Sequence, residues 1–307
     1  MKLNELDLNL LNTIADLKGV PSGALNIRKD GQAVIRHSSP NISITSLEDK
    51  PGIKIEIKPG TIDETVHIPV ILTKSGFQDL VYNTFIVGEG SDVTIIAGCG
   101  IHNDSHADSS HSGIHTIIVK KGARMKYVEK HYGEGSGSGK RILHPTTNIT
   151  VEEGASAELE LVQIRGVDDT HRASTARVHA KGSLKLVERL MTHSEQRASS
   201  DIDVDIEGQN ATAQIFSRSV ARDDSAQVFK ASLNGKTECM GHVECDAIIM
   251  DNARIQAMPA LLAEDSNAVL THEAAIGKIA GEQLIKLMSL GLSEPEAVQT
   301  ILDGFLR

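Results

Sequence analysis

The chain changes its hydrophobic period twice. Leu3, Leu6, Leu10, Ile14 and Leu17 recur at intervals of three or four, which predicts a short amphipathic helix over residues 3–18, ended by Gly19 and Pro21. The period then becomes two. Ile53-Lys-Ile-Glu-Ile57, Ile149-Thr-Val151, Leu159-Glu-Leu161 and Ile202-Asp-Val-Asp-Ile206 all alternate apolar with polar, so strands are expected from about residue 25 to about residue 258. Helical spacing returns between Ala274 and Leu290 and stops at Gly291. Ser293 is then placed to cap a second helix, with Glu294, Pro295 and Glu296 in its first turn. The expected division is an N-terminal helical segment over 1–24, a β core over 25–258 and a C-terminal helical segment over 259–307.

The strands repeat. A glycine followed by small or polar residues and an alternating run occurs at Gly90, Gly122, Gly154, Gly182, Gly208 and Gly235, at spacings of 32, 32, 28, 26 and 27 residues. A period of this size with no helix between the strands predicts coils of a β-solenoid, with glycine at the corners. A β-sandwich built of hairpin pairs is the competing reading. Composition favours the solenoid: 40% of residues are hydrophobic, yet only 3% are aromatic and none is Trp. A narrow interior of stacked aliphatic side chains would explain so few rings.

The formal charge is −10, and from Glu238 to Arg307 there are 11 acidic residues and 4 basic ones, so −7 of it lies in that tail. An acidic chain without an aromatic-and-basic stripe is a poor nucleic-acid binder. The apolar runs are too short to span a bilayer and the first residues lack a signal-peptide core, so no membrane contact and a cytoplasmic location are expected. Three cysteines, Cys99, Cys239 and Cys245, argue for reduced thiols that pack or ligate metal rather than for a disulfide framework.

The densest candidate chemistry runs from Cys99 to His115. It holds Cys99, His102, Asp104, His106, Asp108, His111 and His115. Thiolate, imidazole and carboxylate are the ligands of zinc and iron, and this density favours metal contact over a merely solvated corner loop. Glu129 and His131 share a strand face and suit a supporting carboxylate–imidazole pair; a strand end running into a loop is the alternative. Gly133-Glu-Gly-Ser-Gly-Ser-Gly-Lys140 superficially resembles a phosphate-binding loop, but Glu134 stands where a glycine is needed and Arg141 follows the lysine. A flexible surface loop is expected there. Cys239 and Cys245 alternate with Val243 and are expected to point inward, with His242 pointing out. Thr271-His272-Glu273 is read as a strand-to-helix junction.

The tail also carries a resemblance. His272-Glu273-Ala-Ala-Ile-Gly-Lys-Ile, Glu282-Gln-Leu, Leu290-Gly-Leu-Ser-Glu-Pro-Glu-Ala and Gly304-Phe-Leu closely resemble the C-terminal signature of the SufB/SufD family. Members are scaffold components of the SUF iron–sulfur cluster assembly system. Asn83-Thr-Phe-Ile-Val, Ala97-Gly-Cys-Gly-Ile-His102 and Glu129-Lys-His-Tyr-Gly-Glu-Gly are similar to segments of short, single-subunit-type members. The resemblance implies a mainly β fold, a right-handed parallel β-helix with a short N-terminal helix and a C-terminal helical segment. It also implies a homodimer or heterodimer with a related scaffold chain and docking of a SufC-like ABC ATPase on the C-terminal helices. Gln283, Leu287, Leu290, Glu294 and Glu296 are the docking candidates. His272 matches a SufD-type histidine implicated in cluster formation and Glu273 a SufB-type glutamate, while Ala253 falls where SufB-type members carry cysteine.

The leading expectation is therefore a non-enzymatic scaffold for a transient iron–sulfur cluster, with ATP hydrolysis in a partner. Cys99, His102, His106, His111, His115, His272, Glu273 and Cys245 are its cluster or metal candidates, supported by Glu129 and His131. The rivals are a metal-dependent enzyme using the Cys99–His115 cluster and a structural β-solenoid without chemistry.

Overall fold

The computed structural model describes residues 3–19, 21 and 23–306, apart from the side chain of Ile164, so the expected 1–24 segment lies partly outside the described residues. Its strands alternate between two sheets. One runs in the order Gln32–His37, Ala24–Lys29, Ile62–Leu72, Asp92–His102, Arg124–Glu134, Ser156–Arg165, Ser183–Thr192, Ala211–Ala221, Cys239–Ile249 and Val269–Gly277. The other runs Arg254–Ala263, Ala226–Gly235, Arg197–Ile206, Asp169–Val178, then Arg141–Leu143 and Thr146–Val151, then Ser109–Val119, Gln78–Val87, Gly52–Ile57 and Ile42–Ser46. Neighbours pair in parallel, except for the hairpin strands 32–37 and 42–46, which pair antiparallel at the N-terminal end. Parallel pairing between strands one coil apart is a β-solenoid, as the repeats predict.

One corner of the coil is a hydrogen-bonded ladder. The N–H of Gly60 donates to Glu89 O, Gly90 to Lys121 O, Gly122 to Glu153 O, Gly154 to Ala180 O, Lys181 to Gln209 O and Asn210 to Glu238 O, at 2.8–3.1 Å. All six donors have positive φ, between 56° and 71°. Three of the six repeat glycines hold this left-handed position, but Gly182, Gly208 and Gly235 do not; Lys181 and Asn210 take it in the later coils. Gly208 is needed for a different reason, since a Cβ there would lie 1.8 Å from Ala180 N of the preceding coil.

Inward residues form rows across coils. Ile95, Tyr127, Leu159, Leu186, Ile215 and Val243 are register neighbours in succession and are all buried. Rings do enter this interior, contrary to the expectation from composition. Phe85 and Tyr127 are fully buried and pack edge-on at 6.2 Å. Small neighbours such as Ala123, Ala155 and Ala157 are buried in the same core cluster.

The first helix, α1 (Glu5–Ala15), is shorter than the pattern predicts, because Asp16 already turns left-handed (φ 54°) and its N–H closes on Asn12 O and Leu11 O. A capping box between Asn4 and Asp7 starts it. The helix lies outside the solenoid over Gly98 and Gly100, where Ile14 and Leu10 come close enough to leave little room for side chains. A buried ion pair, Lys29 Nζ to Asp7 at 2.7 Å, fixes it there.

Strands continue past residue 258, through Arg254–Ala263 and Val269–Gly277, so His272 and Glu273 lie within a strand and not at a strand-to-helix junction. Register with residues 240–248 holds this segment extended although its apolar spacing reads as helical. The helices α2 (Gly281–Ser289) and α3 (Glu294–Phe305) follow, packed on each other. Ser293 caps α3 as expected, in a capping box with Glu296. Among the described residues no helix is long and apolar enough to cross a membrane.

Candidate functional site

Three strands bring the chemistry inside. On Asp92–His102 the odd positions Val93, Ile95, Ala97 and Ile101 are buried inward, so Cys99 faces the interior while Gly98 and Gly100 meet α1. On Ser109–Val119 the inward set is Ser109, His111, Gly113, His115, Ile117 and Val119; on Arg124–Glu134 it includes Tyr127, Glu129 and His131. Cys99 and His131 are register neighbours, as are Asp79 and His111 in the opposite sheet. Cys99, His111, His115, Glu129 and His131 line one small cavity with Asn83, and water centres have about 20 Å³ of room in it.

Glu129 is the hub of its polar wall. Its Oε2 accepts from Tyr127 Oη at 2.7 Å; its Oε1 accepts from Arg172 Nη1 at 2.8 Å and His131 Nε2 at 2.9 Å. Arg172 Nη2 donates in turn to His131 Nδ1 at 3.4 Å. Burial pushes the Glu129 carboxyl up, but Arg172 and His131 together hold it well below the usual carboxylate range. Burial lowers His131 despite Glu129, which matches a neutral ring with its proton on Nε2. Arg172 also approaches Glu188, Nε to Oε1 at 3.5 Å, and burial raises the Glu188 pKa despite that neighbour.

Behind His111 stands Asp79. Arg28 grips it with Nε at 3.0 Å and Nη2 at 2.8 Å, and His111 Nδ1 donates to it at 3.0 Å. Despite burial, these donors depress the Asp79 carboxyl. His115 stacks on Phe85 at 5.7 Å, its Nδ1 has no hydrogen-bond partner, and burial lowers its pKa to about 4. Burial, then the charges of Glu129 and Asp79, raise the Cys99 thiol well above its ordinary value.

The other candidates stand apart. His102 sits at an outward position between Asp104 (2.7 Å) and Glu134 (3.2 Å), and exposed His106 bonds Ser138 at 2.6 Å. The loop beside them is not a free flexible segment. Gly137 N donates to Asn103 O at 3.1 Å and Gly139 N to Ser105 O at 2.8 Å, and Cβ atoms at Gly135, Gly137 and Gly139 would collide with the 103–107 backbone. Cys245 points inward beside Ser217 and is 4% exposed, so its thiol is not accessible; burial pushes its pKa to about 12. Cys239 is likewise buried, while His242 faces outward and bonds Thr271 at 2.8 Å. His272 and Glu273 are exposed on the last strand. His272 continues the interior row beyond Val243 at the open end of the coil. Ala253 is buried at a corner. Gln283, Leu290, Glu294 and Glu296 are exposed and Leu287 half-buried. Among the described residues, no three His, Cys, Asp or Glu side chains are already gathered as a metal cage.

Sequence reasoning missed Asp79, Arg28, Arg172 and Glu188. Period two offered the signal: Arg172 shares parity with Ala176 and Val178, and Glu188 with Leu184, Leu186 and Leu190, all buried.

The family model described as SUF system FeS cluster assembly, SufBD core domain, matches residues 71–305. An iron-sulfur cluster assembly SufBD family protein of Archaeoglobus fulgidus is 31% identical over 267 residues, covering 86% of this chain and 70% of the relative. A protein of the same description from Methanothermobacter thermautotrophicus is 30% identical over 229 residues, 73% of this chain but 54% of the relative. One from Methanocaldococcus jannaschii is 27% identical over 262 residues, 84% and 82% of the two chains.

Proposed function

The chain belongs to the SufBD family of iron–sulfur cluster assembly proteins, and from that premise we propose that it is a scaffold on which a cluster is built, driven by a SufC-like ABC ATPase. The observation that carries this reading is the family match, which spans both the solenoid and the C-terminal helices.

The cluster is cargo, and the open end of the coil suits it. His272 and Glu273 are exposed there, one from the inward row and one from the outward face, and can offer imidazole and carboxylate to iron. Ala253 supplies no ligand, and Cys239 and Cys245 are buried. A second scaffold chain, identical or related, would complete the ligand set. Imidazole and carboxylate hold iron less firmly than thiolate, which suits a site that must release its cluster.

The docking surface for the ATPase is α2 and the start of α3. No residue of α2 is buried; Ile285 is 68% and Leu290 75% exposed, beside the acids Glu294 and Glu296. ATP hydrolysis then belongs to the partner and this chain is not itself an enzyme. The metal-dependent enzyme alternative needs a substrate at the Cys99–His115 residues, and the cavity there has room for little more than water.

Affinity capture with a SufC-like ABC ATPase tests the docking, and anaerobic iron and sulfide counting tests the cargo. Leu290→Asp should weaken ATPase capture at least tenfold without lowering the melting temperature. His272→Ala with Glu273→Ala should reduce cluster loading and leave ATPase capture intact. Unchanged loading in that double variant would remove the open end from the site.

A further inference from the structure

We propose that the interior cavity is a binding site for one divalent first-row transition-metal ion, ligated by Cys99, His111 and His115 with a water in the remaining position. The site stands independently of the scaffold reading, since it needs no ATPase, no sulfide and no second chain.

Gly113 creates the space. It lies between the two histidines on one inward row, and with no side chain of its own it leaves a gap that both rings border. His115 Nε2 is 2.7 Å and His111 Nε2 3.4 Å from the place a Cβ would occupy. Two imidazole nitrogens therefore converge over one glycine. Cys99, from the opposite sheet, lines the same cavity.

The rings are prepared differently. His111 gives its Nδ1 proton to Asp79 at 3.0 Å, which leaves the Nε2 lone pair for a ligand; the carboxylate is itself clamped by Arg28. A carboxylate behind an imidazole is the usual way to fix the tautomer of a metal-binding histidine. His115 is only 7% exposed, yet its Nδ1 has no hydrogen-bond partner. Buried polar groups are rarely left so; the nitrogen that His115 turns to the gap over Gly113, and would offer to an ion, is Nε2.

The donor set and the volume select the ligand. Two imidazoles and a thiol favour zinc, iron(II) or cobalt(II) over magnesium or calcium, with metal–nitrogen and metal–sulfur bonds of about 2.0 and 2.3 Å. Room of about 20 Å³ for water centres holds an ion and its water, and excludes a cluster. Glu129 and His131 are not ligands, because their polar atoms are committed to Tyr127, Arg172 and each other. On binding, the Cys99 S–H proton leaves to solvent and the thiolate sulfur bonds the metal. Since the three ligands are not yet gathered, Cys99 must rotate toward the histidines to close the set.

Cobalt(II) titration of the chelator-stripped, anaerobic chain tests this. One equivalent should bind, giving tetrahedral visible bands and a thiolate charge-transfer band. Cys99→Ser should abolish the charge-transfer band and weaken binding at least tenfold. His115→Phe, which keeps the stack on Phe85, should weaken binding to a similar extent with the far-ultraviolet circular dichroism unchanged. Cys245→Ser should bind as wild type does. A folded wild type that takes up no cobalt, or a thiolate band that survives Cys99→Ser, overturns the proposal. Neither result bears on ATPase capture or on cluster loading at His272 and Glu273.

Discussion

Glu129→Gln is the most discriminating perturbation of the interior. It preserves size and removes the charge that faces Arg172 at 2.8 Å, and the two side chains are 3% and 4% exposed. The guanidinium cannot shed its proton, and its other carboxylate, Glu188, is 3.5 Å away with a pKa already raised by burial. An amide in place of Glu129 must also turn an N–H₂ group toward Tyr127 Oη, Arg172 or His131, each of which now donates to the carboxylate. Breaking one half of a buried pair costs about 3–5 kcal/mol. Replacing both halves with groups of similar shape costs far less, so Glu129→Gln combined with Arg172→Met should recover at least about 2 kcal/mol of that loss, because Glu188 can then take up a proton. Urea unfolding of the four proteins in the cycle, followed by circular dichroism, reads both quantities. A single-variant loss below about 1 kcal/mol, or a double variant equal to the sum of the singles, would show that the ion pair does not organise the interior.

Two further outcomes follow from the geometry. His115 has a folded pKa of about 4 against an ordinary 6.5, with Glu129 opposing and His111, His131 and Arg172 reinforcing the effect of burial. Its neutral form is favoured by folding, so the contribution is complete above pH 6.5 and is lost as pH falls toward 4, on the order of 3 kcal/mol; His115→Phe should flatten the stability profile across that window, and parallel profiles for the two proteins would refute the assignment. The second concerns the corners: Gly208→Ala forces a Cβ against Ala180 N, whereas Gly154→Ala meets open space and strains only a φ of 65°. The latter should cost about 1–2 kcal/mol and the former clearly more, as read from melting temperatures; an equal shift would refute the close approach.

Much of this molecule was legible in its sequence. Alternation at Ile202–Ile206 and the glycine spacing sufficed for the solenoid, because a corner repeated once per coil leaves a periodic trace. The trace fades where the backbone ladder holds Lys181 and Asn210 in the left-handed position, since hydrogen bonds there offset what the side chain disfavours. The end of strand Val269–Gly277 was hidden for the opposite reason: apolar spacing from Ala274 onward suits a helix, and pairing with Cys239–Ile249 holds it extended. In the site, clustering pointed to His102 and His106 as strongly as to His111 and His115. Parity separates them, since Cys99, His111 and His115 fall in step with buried Ile95, Ile117 and Val119, while His102 does not. Parity also marks Arg172 and Glu188 as inward, but their partners come from other coils, so local spacing does not say which charge each one meets.

The ladder of corners has a consequence for how the chain is made. Each left-handed residue bonds to a carbonyl of the following coil 26–31 residues further on, from Gly60 to Asn210. A coil therefore waits only for the next one before its corner is satisfied, and no strand in the two sheets waits for the far terminus. Assembly can proceed vectorially during synthesis, with the antiparallel strands 32–37 and 42–46 as its template and Val269–Gly277 as the last strand to be laid down.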